Sequence, residues 1–154
     1  MQCVVLAGGL GTRTEQNRLP KILLPVFGEP FLLIQRRWLR RLGCDRFHYC
    51  LGHKADQVAK VLVEHCDDDV PTSFSRDDLR GGTAGALIEA AAGGHLEDRF
   101  AAVNGDTMMA LDLLGSSLAP AIMTTVDGVD CGMYLLTRKI VDALLPGSLP
   151  DELR

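Results

Sequence analysis

Residues 2–13 read Gln2-Cys3-Val4-Val5-Leu6-Ala7-Gly8-Gly9-Leu10-Gly11-Thr12-Arg13. The first half is a short apolar run with no polar face, the pattern of a strand buried on both sides in a parallel sheet. Three glycines follow within four residues. Glycine lets a backbone come close to a triphosphate and aim several N–H groups at it. The Arg13 guanidinium adds a planar fork for phosphate oxygens. The spacing is neither G-x-x-x-x-G-K-[ST] nor GxGxxG, so a plain strand-to-helix turn is the competing reading. The Thr12-Arg13 sequel favours phosphate.

Outward from this block, strands alternate with helices. Residues 19–26 mix prolines with apolar side chains and exclude a regular helix. Residues 30–42 carry Phe31, Ile34, Trp38 and Leu42 near helical spacing; this predicts an inward apolar stripe, with Arg36, Arg37, Arg40 and Arg41 on the other face and Gly43 as the cap. Residues 46–51 predict a second strand, and 54–65 a helix with Val58, Val61 and Leu62 inward. A third strand is expected over 70–75 and a charged loop over 77–82. The alanine-rich residues 83–92 read as a helix stopped by Gly93-Gly94, and 99–103 as a fourth strand. Further strands are expected at 121–126 and 131–136, then a helix at 138–145. The alternation predicts an α/β, Rossmann-like, doubly wound and mostly parallel sheet in a single domain over 1–154.

Bulk properties narrow the function. The 154 residues are 47% hydrophobic and 23% charged, the balance of a globular domain. A net charge of -4 argues against a dedicated nucleic-acid binder, which needs a basic surface. No apolar run approaches the roughly 20 residues of a membrane helix, and the start carries no basic leader, so no membrane partner and a cytoplasmic location are expected. Five scattered cysteines without a CxxC pair read as reduced thiols with no structural disulfide.

Two further residues carry chemistry. Lys21 follows Pro20 shortly after the glycine block; a lysine there can neutralise charge on a transferred phosphoryl group, though alone it would be a solvated lysine. Asn104-Gly105-Asp106 ends an apolar strand, where open α/β sheets place ligands. A carboxylate at that point can hold Mg²⁺ against substrate phosphates; without the preceding strand it would be an ordinary turn.

Taken together, residues 6–13, Pro20-Lys21-Ile22-Leu23-Leu24-Pro25-Val26 with Gly28 and Pro30, residues 82–87, and Val103-Asn104-Gly105-Asp106-Thr107 resemble the NTP-dependent sugar-1-phosphate nucleotidyltransferases, the pyrophosphorylases that make nucleoside-diphosphate sugars. The likeness covers most of residues 1–113. Pro30-Phe31-Leu32 and residues 51–57 look most like the branch that activates heptose or mannose 1-phosphate, with GTP favoured. The resemblance implies the nucleotide-diphospho-sugar transferase fold and transfer of a nucleoside monophosphate to a sugar 1-phosphate, with release of pyrophosphate. By it, Leu6, Ala7, Gly8 and Gly9 would cradle the nucleoside, and Gly11, Thr12 and Arg13 the triphosphate, with Gly82 and Thr83 also on the nucleotide. Lys21 would steady the α-phosphate and Asp106 bind the catalytic Mg²⁺. Asp77 would read the base edge, suiting the N–H donors of guanine; a solvated acid is the equal alternative.

Beyond Asp106 the pattern departs from that family. A Glu-Lys block for the sugar and its phosphate is missing between residues 119–126 and 129–135, and Arg154 precedes the region where a second aspartate usually completes the metal site. The expectation is a nucleotide- and metal-binding part over 1–113 and a reduced acceptor part over 114–154, a fold shortened in its C-terminal half. Two alternatives follow: a non-catalytic nucleotide-binding relative or subunit, and a transferase for a smaller phosphorylated acceptor. A homo-oligomer or a partner subunit could supply absent groups; the arginine-rich stretch 36–41 suits either self-association or solvent.

Overall fold

The structure, a computed structural model, describes residues 1–9, 19–66, 69–76, 82–108, 121–126 and 129–144. In chain order these form β1 (Gln2–Ala7), a 3-10 turn at Lys21–Leu23, β2 (Pro25–Val26), β3 (Glu29–Pro30), α1 (Phe31–Arg41), β4 (Arg46–Leu51), α2 (Ala55–His65), β5 (Thr72–Arg76), α3 (Gly82–Ala92), β6 (Arg99–Asn104), β7 (Ala121–Val126), β8 (Val129–Thr137) and α4 (Arg138–Asp142).

Six strands make one sheet in the order β5-β4-β1-β6-β8-β7. β5, β4, β1 and β6 are parallel, and β8 runs antiparallel to both β6 and β7. Because side chains alternate along a strand, each central strand feeds two cores. Cys3, Val5, Phe47, Tyr49, Leu51, Ala101 and Val103 pack with Leu32 and Leu39 of α1 and Val58 and Leu62 of α2. Val4, Cys50, Phe100 and Ala102 pack on the other face with Ala86, Leu87, Ala90 and Ala91 of α3 and Val141 of α4. Burying a Val, Leu or Phe side chain stabilises the fold by roughly 1.5–3 kcal/mol, which explains the unbroken apolar runs in β1 and β6. The result is the doubly wound, mostly parallel sheet. The chain winds outward from β1 through β4 to β5, then crosses to β6 on the other side. The strand order therefore reverses between β1 and β6, and the crevice beyond their carboxyl ends is where such sheets bind ligands.

In α1, Arg37, Arg40 and Arg41 are exposed as expected, but Arg36 and the apolar stripe depart from the sequence reading. Leu32, Gln35, Arg36 and Leu39 are the buried residues, whereas Phe31, Ile34, Trp38 and Leu42 are only half-buried. Arg36, expected in solvent, is 3% exposed. Its Nη2 donates to Thr72 Oγ1 at 3.0 Å, and its guanidinium lies 4.3 Å from the Phe47 ring centroid. A hydrogen bond and a cation–π contact offset the cost of burying that charge. Arg37 stays outside and forks onto Glu29, with Nη1 donating to Oε2 at 2.9 Å. This contact draws the Glu29 carboxyl below its ordinary range and ties the β2–β3 ribbon to α1.

Other boundaries shift modestly. The third strand is Thr72–Arg76, two residues later than the pattern suggested; β8 begins at Val129, and α4 is described only over Arg138–Asp142. Pro30 precedes α1 as its extended N-cap, because it also pairs with Pro25 in the ribbon.

Candidate functional site

The carboxyl edge of the sheet is built from backbone that comes unusually close. β1 ends at the half-buried Leu6 and Ala7 and runs into Gly8, with Gly9 exposed. Gly52, just after β4, abuts Gly8: a Cβ on Gly52 would stand 2.4 Å from the Gly8 carbonyl oxygen and 2.7 Å from its Cα. Only hydrogen fits there, so the turn after β1 is held against the end of β4. On the other flank, the Gly105 N–H donates to the Leu6 carbonyl at 2.9 Å. That bond extends the β1–β6 ladder past Asn104 and places Asp106 next to the glycine turn. Thr107 N–H closes the Asn104–Thr107 turn on the Asn104 carbonyl at 3.1 Å.

Lys21 reaches the same point from a different segment. Ile22 and Leu23, 2% and 5% exposed, anchor the 3-10 turn in the core. Leu24 N–H returns to the Lys21 carbonyl at 3.0 Å, and the Leu24 carbonyl accepts from Phe31 N–H at 3.0 Å. With its neighbours fixed, Lys21 projects outward, and its Nζ lies 3.7 Å from Asp106 Oδ2. This is longer than a charge-assisted hydrogen bond of about 2.7–2.9 Å. Both side chains keep about half their surface in water, 42% and 56%, so the pair contributes at most ~1 kcal/mol to stability. A cation and an anion side by side, fixed at their bases and weakly engaged with each other, can take a phosphate and a metal ion respectively.

Leu6, Ala7, Gly8, Gly9, Lys21 and Asp106 are thus gathered at one edge. Gly82 and Thr83 open α3, both exposed. The far end of that helix leads to His95, whose carbonyl accepts from Gln2 at the start of β1 at 2.6 Å, so the first turn of α3 points to the carboxyl edge. Gly11, Thr12, Arg13 and Asp77 lie outside the described residues. No three His, Cys, Asp or Glu side chains converge among the described residues. A lone carboxylate beside a lysine nevertheless fits Mg²⁺, which keeps several waters and takes one or two carboxylates plus substrate phosphates. Three residues of this edge were not singled out as site residues from the sequence: Gly52, whose role is a contact to Gly8; Gly132 on β8, where a Cβ would meet Asn104 Nδ2 at 2.3 Å; and the buried Gln35 of α1. Each acts across the fold, so neighbouring residues give no signal of it. No helix among the described residues is long and apolar enough to cross a membrane.

A doubly wound sheet with a glycine turn and a lysine–carboxylate pair at its switch point defines a phosphate-handling α/β domain. The chain belongs to the family of the MobA-like NTP transferase domain, which it matches over residues 3–145. It is 34% identical over 143 residues to the bifunctional protein GlmU of Thermus thermophilus, covering 90% of this chain and 28% of that protein. It is 28% identical over 118 residues to the D-glycero-alpha-D-manno-heptose 1-phosphate guanylyltransferase of Campylobacter jejuni, covering 73% of this chain and 51% of that enzyme. The chain therefore spans about half, or less, of these relatives. Among solved structures, HddC from Yersinia pseudotuberculosis complexed with GMP-PN shares the fold, with a TM-score of 0.78 at 24% identity over 96% of this chain and 80% of that one. The family read from the glycine, lysine and aspartate blocks is the family found.

Proposed function

We propose that this chain is a Mg²⁺-dependent nucleotidyltransferase that moves a nucleoside monophosphate from an NTP, GTP favoured, to a sugar 1-phosphate. The observation that carries the reading is the weak Lys21–Asp106 pair, 3.7 Å apart, beside the glycine turn of an NTP transferase domain. The acceptor's phosphate oxygen attacks the α-phosphorus in line. A P–O bond forms there while the bond from the α-phosphorus to the bridging oxygen breaks, and pyrophosphate leaves with that electron pair. Such chemistry needs positioning and charge neutralisation rather than a strong base. Leu6, Ala7, Gly8 and Gly9 approach the nucleoside, with Gly82 and Thr83 nearby. Gly11, Thr12 and Arg13 hold the triphosphate, Lys21 steadies the α-phosphate, and Asp106 holds the metal. Mg²⁺, when bound, offsets the charge of the phosphates. A guanylyltransferase relative and a fold neighbour complexed with GMP-PN support GTP, with Asp77 as the residue on the base edge. The reading places the reaction in the cytoplasm, where NTPs are made.

A smaller phosphorylated acceptor is the second reading. It is favoured by the pairing of Val126 of β7 with Val129 of β8, two strands between which the sequence has no room for the sugar-binding block of the resembling enzymes. The test is a screen of NTPs against sugar 1-phosphates and phosphorylated alcohols, read by pyrophosphate release. GTP with one sugar 1-phosphate should give the fastest release. Release only with a small acceptor selects the second reading, and none with any pair points to a nucleotide-binding subunit that needs a partner chain.

A further inference from the structure

The carboxylate assigned to the metal sits on a turn that is fastened from below. Gln35, on α1, is 1% exposed. Its Nε2 donates to the Asn104 carbonyl at 2.9 Å and to the Thr107 carbonyl at 2.8 Å. These are the first and last carbonyls of the turn that presents Asp106. The Asn104 carbonyl also accepts the Thr107 N–H that closes the turn. One amide, about 70 residues away in sequence, thus fixes both ends of the turn at once. Gly132 seals the opposite side, since a Cβ there would overlap the Asn104 side chain and stand 3.0 Å from Thr107 Oγ1. A further Cβ, on Gly105, would stand 3.2 Å from Ile22 Cδ1, so the Lys21 segment rests on the same turn. α1 in addition holds that segment through the Phe31 N–H to the Leu24 carbonyl, 3.0 Å.

We propose that Gln35 is a positioning residue for the transfer reaction: its amide sets the height and direction of the Asp106 carboxylate relative to Lys21, and so the geometry in which the metal and the α-phosphate are held. A buried primary amide is suited to this task. It has two N–H donors in one plane, so a single head group bridges two carbonyls without bringing a charge next to Asp106. Groups that orient a metal-binding carboxylate through hydrogen bonds typically change metal affinity or activity 10–100-fold when removed.

The inference rests on the transferase reading, and the experiment separates the two. Mn²⁺ is titrated into the full chain and followed by water-proton relaxation, for wild type, Asp106→Asn and Gln35→Met. Methionine keeps the length of the side chain and removes both donors. Thermal melts and circular dichroism are recorded for each, and kcat and the KM for NTP with Mg²⁺. The expected result is a 10–100-fold weaker Mn²⁺ affinity for Gln35→Met at a temperature where its circular dichroism matches wild type. Its kcat should fall by a similar factor, with the KM for NTP changed less than about threefold. Asp106→Asn should abolish the Mn²⁺ signal. A lowered melting temperature with wild-type Mn²⁺ affinity and kcat would overturn the positioning role and leave the metal assignment standing. Unchanged Mn²⁺ binding in Asp106→Asn would overturn both. If Gln35→Met does not fold, Gln35→Asn carries the same donors on a stem too short to reach both carbonyls, and is expected to show the same loss.

Discussion

Toward the amino-terminal ends of the strands, Gln2, His48 and the α1 residue Arg36 that packs there are at most 3% exposed, whereas at the carboxyl edge the side chains of Lys21 and Asp106 keep 42% and 56% of their surface. The buried group is matched within the protein. Gln2 donates to the His95 carbonyl and accepts from Glu97 N–H. Arg36 reaches Thr72 and Phe47. Both ring nitrogens of His48 meet serine hydroxyls, Nδ1 with Ser73 at 2.8 Å and Nε2 with Ser75 at 2.9 Å. At the other edge, glycines stand where side chains would fill the space, and among the described residues Lys21 and Asp106 face each other at 3.7 Å. Gln2, Arg36 and His48 hold the fold; Lys21 and Asp106, on the proposed reading, are set out for a ligand. Removing a carboxyl-edge group should therefore cost function and little stability, and removing one from the amino half the reverse.

The largest effect is expected at Asp106. Asp106→Asn keeps the shape and removes the charge, so Mg²⁺-dependent kcat should fall about 100- to 1000-fold with the melting temperature unchanged; a variant that turns over normally with Mg²⁺ removes Asp106 from the site. Arg13→Ala comes next. It removes a charge-assisted contact or two to the triphosphate, on the order of 1.5–3 kcal/mol each, and calorimetry with NTP should show it. Equal NTP affinity in the folded variant would count against the phosphate reading of the glycine block.

At the amino end, His48 ties stability to pH. Burial, then the charge of His95 stacked at 4.6 Å, lowers its pKa from 6.5 to about 4. The unfolded chain takes up this proton near pH 6.5, and the folded chain only near 4. The contribution is therefore flat above that window, and stability falls as pH drops through it, by roughly 3 kcal/mol in all. Urea unfolding at pH 7.5 and 4.5 measures the slope, which should shrink in His48→Gln while kcat at pH 7.5 stays at the wild-type value. An unchanged slope would show that His48 is not the source.

The smallest effect is expected at Gly52. Gly52→Ala drives a Cβ against the Gly8 backbone, at a cost of about 1–3 kcal/mol in stability, and should raise the NTP Kd about tenfold through the displaced glycine turn. Unaltered NTP binding would mean that the Gly8–Gly52 contact does not shape the site.

The sheet was legible because β1 and β6 are buried on both faces and read as short apolar runs, and because β4 alternates. The glycine block, Lys21 and Asp106 stood out because their chemistry is local, and the structure brings Gly8, Gly9, Lys21 and Asp106 to one edge. The sequence misled on α1, where the stripe of Phe31, Ile34, Trp38 and Leu42 is only half-buried. There the inward face carries Gln35 and Arg36, two polar residues whose partners lie on other elements. The β2–β3 ribbon was invisible, since strands of two residues have no period and its ties to Arg37 and Phe31 run to another element. Gly52 and Gly132 were equally silent, because a missing Cβ matters only to the neighbour it admits.

On the proposed function, Lys21 and Asp106 act as one transfer centre. The most direct test is pyrophosphate release at saturating NTP, Mg²⁺ and sugar 1-phosphate for wild type, Lys21→Met, Asp106→Asn and the double variant. Groups that work as a unit show strongly non-additive losses. The predicted result is a fall of about 100-fold or more for each single variant, with the double variant little slower than the worse of the two. Single losses that simply multiply in the double variant, or a single variant that keeps the wild-type rate, would contradict it.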